Sequence, residues 1–447
     1  MTVGDSKLTV GVENKSHWET VNLGELFRIK HGFAFKGEFF SESGKYILLS
    51  PGNFQEEGGL KLKGDKEKYY IGEFPTEYLL NKGELLVVLT DLKQTAPILG
   101  ASGFIRENNK FLHNQRLGKI VNLDESRIDI NFLFYLFNYH QVRGQIKGSA
   151  TGSTVRHTSP ERIYEVKVSL PPPPIQRKIA AILSAYDRLI ENNTRRIEIL
   201  EEMARSIYRE WFVKFRFPGH EQVQMVDSEL GLIPEGWEVK QLDDIVLEII
   251  DYRGKTPKKL GGDWSESGIL AISAKNIKQG KLINLDKSNC VDEALYKKWM
   301  KSELKQGDIL MTSEAPLGEL YYLVKHHKFC LSQRVYSIRA NPDIIHPPIL
   351  FSALYSPLIQ EQIYARQSGT TVLGIRQTEL RKVSVIVPLM ELQISAAKML
   401  DDFFNAIETL QVKNDNLRQT RDLLLPRLIS DEIDVENLDI NTGPIAA

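Results

Sequence analysis

The chain has 447 residues, enough for two to four domains, and its 42% hydrophobic and 26% charged content is that of a folded, water-exposed protein. A net charge of −1 excludes a chain that is basic throughout, so any nucleic-acid contact has to come from local basic patches. The two cysteines, Cys290 and Cys330, have no CxxC spacing and no histidine at ligand distance, which argues against a disulfide framework or zinc site and fits a reducing compartment.

The opening MTVGDSKLTV lacks the charged-then-apolar layout of a signal peptide, and no apolar run approaches the ~20 residues of a membrane span. The expected location is cytoplasmic, with no membrane partner. From Trp18 to about residue 170, short apolar runs such as LLVVL are broken by Gly, Asn and Asp turn signals, and INFLFYLFNYH from Ile130 has a helical pattern. That mixture predicts an α+β module. Inside it, IKHGFAFKG (29–37) interleaves Lys30, His31 and Lys36 with Phe33 and Phe35, a pattern suited either to DNA contact or to plain core. GQIKGSATGSTVRHT (144–158) has no core-forming pattern; its glycines, Ser153 and Thr154, with Lys147, Arg156 and His157, suit phosphate positioning or bracing of the module against the adjoining helical segment. PERIYEVK (160–167) puts Glu165 and Lys167 on alternate positions of an expected strand, a weak echo of a nuclease motif that arises often by chance.

Four prolines then precede a long helical pattern. Ile179, Leu183, Tyr186, Ile190, Asn193, Ile197, Leu200, Ala204, Ile207 and Trp211 are spaced alternately four and three residues apart. A heptad seam of that length predicts a coiled-coil helix of roughly 50 Å that needs a partner. FPGHEQVQ, from Phe217, reads as the start of a polar linker.

The second half repeats the first. KVSLPPPPIQRKIAAIL from Lys167 matches SVIVPLMELQISAAKML from Ser384 at an offset of 217, setting Gln176 on Gln393. GSTV meets GTTV, KGELLVVLT resembles QGDILMTSE, HNQRL resembles LSQRV, and Trp18-Glu19 resembles Trp237-Glu238, in the same order. DYRGKTPKK (251–259) is a basic Gly/Pro loop in which Arg253, Lys255, Thr256, Lys258 and Lys259 suit DNA contact, Arg253 gripping guanine bidentately; a solvated charge run is the alternative. ARQSGTTVLGIRQ (365–377) is the counterpart of the first hydroxyl-rich loop, with Thr370, Thr371 and Arg376. Gln115-Arg116 and Gln333-Arg334 recur in both halves, which favours a shared structural role over base reading.

Carried forward by 217, the seam becomes Ala396, Leu400, Phe403, Ile407, Leu410, Asn414, Leu417, Arg421, Leu424 and Leu428. Antiparallel pairing with Asn193 facing Asn414 sets Trp211 on Ala396, Ala204 on Phe403, Leu200 on Ile407, Ile197 on Leu410 and Ile190 on Leu417. Large residues meet small ones, and a polar layer costs stability but fixes register. Cysteines at Asn193 and Asn414 test that register. Pro426 is expected to limit the distal helix, and the chain from about Asn437 to fray.

These stretches carry a resemblance. LPPPPIQRKIAAILSAYDRLIENNTRRIEILEEMARSIYREWFVKF, NDNLRQTRDLLLPRLISDEIDV and GSTVRHT resemble conserved segments of the specificity (S) subunits of type I restriction–modification systems. The resemblance implies two target-recognition domains, 18–170 and 237–387, each reading half of a bipartite site on double-stranded DNA. Helices at 171–217 and 388–427 space them and dock methyltransferase (M) subunits, two in number, with restriction (R) subunits joining through that core; 218–236 is a linker and 428–447 a tail. No cofactor is implied for this chain itself: S-adenosylmethionine belongs to M, ATP and magnesium to R. The distal copy departs from the family pattern, with VPLMELQ replacing the multi-proline entry and GTTVLGI lacking the Arg and His of GSTVRHT.

The residues agree with a chain that has no catalytic or metal centre. At RGKTP the first glycine position of a phosphate loop is Ile249; His326-His327 has no carboxylate or Cys at ligand spacing and reads as an exposed turn; no methyl-donor loop is present. The expected function is a non-catalytic DNA-recognition subunit. The specificity part of a self-sufficient methyltransferase or endonuclease, or a structural coiled-coil adaptor, are the alternatives.

Overall fold

The computed structural model describes residues 18–369 and 371–443. It divides into two compact units, Met1–Glu191 with Asn414–Ala447, and Asn192–Lys413. Each unit is one α+β module plus a portion of both long helices.

In the first module strand β1 (Glu19–Asn22) pairs antiparallel with β6 (Lys167–Leu170), just ahead of the long helix. The main sheet joins β2 (Arg28–His31), β3 (Leu85–Val88), β4 (Ser102–Phe104) and β5 (Leu117–Val121) in the order β2-β5-β3-β4, every pair antiparallel. Helix α1 (Ile130–Asn138) starts where Asp129 accepts the amides of Asn131 and Phe132, and it buries Phe132, Leu133, Leu136 and Phe137. Next come α2 (His140–Gly148) and the short α3 (Pro160–Tyr164).

The second module repeats the plan. Strand β7 (Glu238–Gln241) pairs with β12 (Ser384–Val387). Its sheet has β8 (Val246–Asp251), β9 (Ile309–Ser313), β10 (Leu317–Tyr322) and β11 (Val335–Ala340) in the order β8-β11-β9-β10. Helices α5 (Pro347–Leu354), α6 (Pro357–Ala365) and α7 (Gln377–Leu380) take the places of α1, α2 and α3. A small parallel strand pair also recurs, Tyr46–Leu48 with Phe111–Leu112 and Ile269–Ile272 with Cys330–Leu331. Beside it lies a repeated buried asparagine: Oδ1 of Asn53 accepts from Ser50, as that of Asn276 does from Ser273.

The long helices are α4 (Pro173–Tyr208) and α8 (Met390–Ile429). Within the second unit Ile197 clusters with Ile407 and Leu410, with Leu200 and Phe404 packed on them. Ala204 shares the main core with Ala396 and Leu400, against which Trp211 and Phe403 pack. Ascending α4 thus means descending α8, so the pairing is antiparallel. Within the first unit Ile179 and Leu183 share a core with Leu428, and Asp187 binds Arg421 at 2.6 Å. Ile190 and Leu417 are half-buried in that unit. Asn193 belongs to one unit and Asn414 to the other.

Several expectations need correcting. The linker at 218–236 contains an antiparallel hairpin, Met225–Ser228 with Gly231–Pro234, because the polar SELG stretch makes a turn between two pairing segments. Pro426 does not stop α8: the helix runs on to Ile429, and Leu428 is 1% exposed. Burial of Leu428 and Ile429 offsets the backbone hydrogen bond that proline forgoes. The tail does not fray at Asn437, since Val435 is buried and Ile433 and Ile440 pack on the first core. Lys178 also donates to the Glu436 carbonyl at 2.6 Å. Glu165 caps α3 and only Lys167 is in a strand, so the two are not alternate strand positions.

Candidate nucleic-acid interface

The two hydroxyl-rich segments build one local structure twice. Thr151 and His157 exchange backbone hydrogen bonds at 2.9 and 2.8 Å, and Ser368 and Gly374, 217 positions later, do the same at 2.8 and 3.0 Å. The turn is tight enough to need glycine. Gly152 has φ +93° and a Cβ there would lie 1.9 Å from the Val155 carbonyl oxygen; Gly369 has φ +128° and the same conflict, 2.2 Å, with Val372. Ser153, Thr154 and Thr371 are exposed on these turns; Thr370 lies outside the described residues.

Each turn is sewn to the end of a central strand. In the first module Arg156 and His157 pair with Asp91 and Thr90 just past β3, and Thr158 donates to Leu89. In the second, Gly374 bridges Glu314 just past β9, and Ile375 donates to Ser313. Arg253 and Arg376 are both there: with Ser313, Glu314, Ser368, Gly369, Gly374 and Ile375 they line a cavity of about 220 Å³. Two segments read separately in the sequence therefore form one site.

Arg253 is held in place on two sides. Its Nε and Nη2 donate to the two Asp251 carboxylate oxygens at 2.9 Å, and its guanidinium lies 4.3 Å from the Tyr336 ring centre. Tyr336 and Glu314 are the other polar neighbours of the guanidinium, which also lines the cavity. Arg334, on the turn just before β11, binds Glu314 at 3.0 Å. Ser313 Oγ is buried and has no hydrogen-bond partner among the described residues.

Other candidates turn out to be tethered. Lys255 donates to the Trp299 carbonyl at 2.8 Å and lies over Tyr252, and burial holds its ammonium below the ordinary lysine range, so it braces the loop. Lys259 donates to the Gly254 carbonyl at 2.8 Å, and Thr256 Oγ1 accepts from the Lys259 amide. Lys258 is exposed on a short 3-10 turn, Lys258–Leu260. In the first module Lys30 pairs with Glu77 over the Tyr78 ring, and Lys36 reaches Glu38 only at 4.0 Å. His31 is exposed at the end of β2.

The 144–158 segment is not all loop. Its first five residues complete α2 around the fully buried Ile146, so Lys147 is helical, and burial lowers its pKa too. Arg156 donates to the Lys147 carbonyl at 3.0 Å, and His157 Nδ1 meets Thr90 Oγ1 at 3.0 Å. His327 is not on an exposed turn: it is half-buried, stacked on Phe329 and 3.8 Å from Glu408.

This doubled architecture matches a known family model, the type I restriction modification DNA specificity domain, over residues 15–202 and again over 234–419. The chain belongs to that family. The two matches cover the two modules with most of α4 and α8. Among its relatives, the type I restriction enzyme MjaVIII specificity subunit of Methanocaldococcus jannaschii is 25% identical over 423 residues, covering 87% of this chain and 97% of the relative. The EcoBI specificity subunit of Escherichia coli is 22% identical over 415 residues, covering 89% and 82%. The fold is that of the type I restriction–modification S subunit from M. genitalium, with a TM-score of 0.59 at 17% identity over 93% of this chain and 97% of that one.

Sequence reasoning missed Ser313, Glu314 and Tyr336, and it assigned Arg334 to structure. An apolar strand ending in three polar residues, ILMTSE, was the available signal for the first two. Among the described residues no helix is long and apolar enough to cross a membrane.

Proposed function

We propose that this chain is the DNA-recognition subunit of a type I restriction–modification complex, non-catalytic in itself. The carrying observation is the duplication: two DNA specificity domains of one strand order, each closing on a long helix and each bearing a glycine–hydroxyl turn beside arginines. Two readers on one chain suit a site in two halves. Backbone amides, hydroxyls and guanidinium groups are the donors that phosphates and base edges require. The paired helices set the distance between the half-sites and dock two M subunits, through which R subunits join. S-adenosylmethionine is then M's cofactor, and ATP with magnesium R's.

The test is genome-wide mapping of methylated bases in a host that expresses the chain with its methyltransferase. A methylated motif in two parts with a constant spacer is expected. An undivided motif, or methylation that proceeds with M alone, would overturn the reading.

A further inference from the structure

The strand registers put the two modules into residue-by-residue correspondence at one end of the sheet. Gly118 of β5 faces His31 and Val87, and Tyr336 of β11 faces Asp251 and Met311. The Arg116 carbonyl accepts from Leu89 and the Arg334 carbonyl from Ser313. Thr90 and Glu314, one residue on, carry the pairing to the glycine turn. The backbone frame is therefore common to both. The side chains on it are not: His31 corresponds to Asp251, Phe33 to Arg253, Thr90 to Glu314 and Gly118 to Tyr336. Only the arginine persists, as Arg116 and Arg334, each following a glutamine.

A frame held constant while its side chains diverge is what two readers of different half-sites need. The shared arginine suits what both half-sites have in common, the phosphate backbone. Arg253 suits a base. Its Nε and Nη2 are committed to Asp251 and its face lies on Tyr336; the Nη1–Nη2 end of a guanidinium so held has the two parallel N–H donors that O6 and N7 of guanine accept. The orphaned Ser313 hydroxyl beside it is a further polar group with no partner among the described residues.

We propose that this sheet end is the base-reading surface of each module, with Arg116 and Arg334 as matched phosphate anchors and Arg253 as a guanine reader positioned by Asp251 and Tyr336. The proposal rests on the DNA-recognition reading above and names the surface that carries it out. A structural role for Arg253 would affect folding or assembly and leave sequence preference alone, and a structural role for Arg116 and Arg334 would leave the salt dependence of binding unchanged.

Three variants of the full chain in complex with its methyltransferase decide it. Arg253→Lys keeps the charge and loses the fork; discrimination at one guanine position of one half-site is expected to fall about ten- to a hundredfold, the other half-site staying intact. Arg334→Ala and Arg116→Ala should leave the motif unchanged and lower the slope of log affinity against log salt by about one each. If Arg253→Lys does not assemble, Asp251→Asn gives the same readout through the loss of the positioning carboxylate. An unchanged motif with Arg253→Lys, or with Asp251→Asn in its place, overturns the guanine assignment; an altered motif with Arg334→Ala or Arg116→Ala overturns the anchor assignment. If the unaltered complex gives no two-part motif, the function fails and not merely this surface.

Discussion

Gln176 and Gln393 make the same three hydrogen bonds in their respective units. Gln176 Nε2 donates to the carbonyls of Pro171 and Arg127 at 2.7 and 2.8 Å, and its Oε1 accepts the Asp129 amide at 2.8 Å. Gln393 Nε2 donates to Pro388 and Ile344 at 2.8 and 3.0 Å, and its Oε1 accepts the His346 amide at 2.9 Å. Both side chains are 0% exposed. Each amide ties the first turn of a long helix to the entry of the module's first sheet-packing helix. The helix therefore leaves its module in a set direction.

Replacing either glutamine by leucine leaves two carbonyls and an amide buried without partners. Gln176→Leu and Gln393→Leu should each cost about 3 kcal/mol of unfolding free energy, read from urea denaturation. Glutamate is a sharper control: it keeps the acceptor but removes both donors, so it should also destabilise.

Arg421 neutralises Asp187 at 2.6 Å, and Asp187 in turn accepts the Tyr135 hydroxyl at 2.5 Å. Arg421→Met keeps much of the aliphatic volume and strands the carboxylate. A loss of about 2 kcal/mol is expected, and the double change with Asp187→Leu should recover much of it in the same denaturation assay.

His113 is buried, and its Nε2 donates to the Leu117 carbonyl at 2.9 Å. Burial lowers its pKa to about 4, against an ordinary value near 6.5. The folded state thus binds this proton later than the unfolded chain does. Stability should be unaffected by His113 above pH 6.5, fall as pH drops from 6.5 to 4, and level off below, a loss on the order of 3 kcal/mol. His113→Gln should flatten that portion of the curve, measured by unfolding at closely spaced pH values.

Cys330 is fully buried, and burial pushes its thiol up to about 12. No thiolate is available at pH 8, so an aromatic disulfide reagent should label it only on denaturation. Rapid labelling of Cys330 in a native Cys290→Ser variant would show that the core around Met300 and Leu331 opens.

Much of the fold was legible because repeats and heptads are properties of spacing. The alternation of four and three from Ile179 to Trp211 named a paired helix, and five ordered matches named a duplication. Where local rules were applied alone they failed: Pro426 sits in a helix, and 218–236 holds a hairpin. Core burial in the first case and strand pairing in the second outweighed local preference.

The site was less legible. Arg253 and Arg376 line one cavity although 123 positions separate them, and Lys255, equally basic, turns to a carbonyl. By itself the sequence determined the duplication, the two long helices and the absence of a known catalytic motif, since each depends on the order and spacing of residues. Only the tertiary structure decided which cations remain available to a ligand. That depends on strand register, which brings Asp251 opposite Tyr336 and Glu314 beside Arg334, and on the burial that makes nearby lysines serve backbone carbonyls instead.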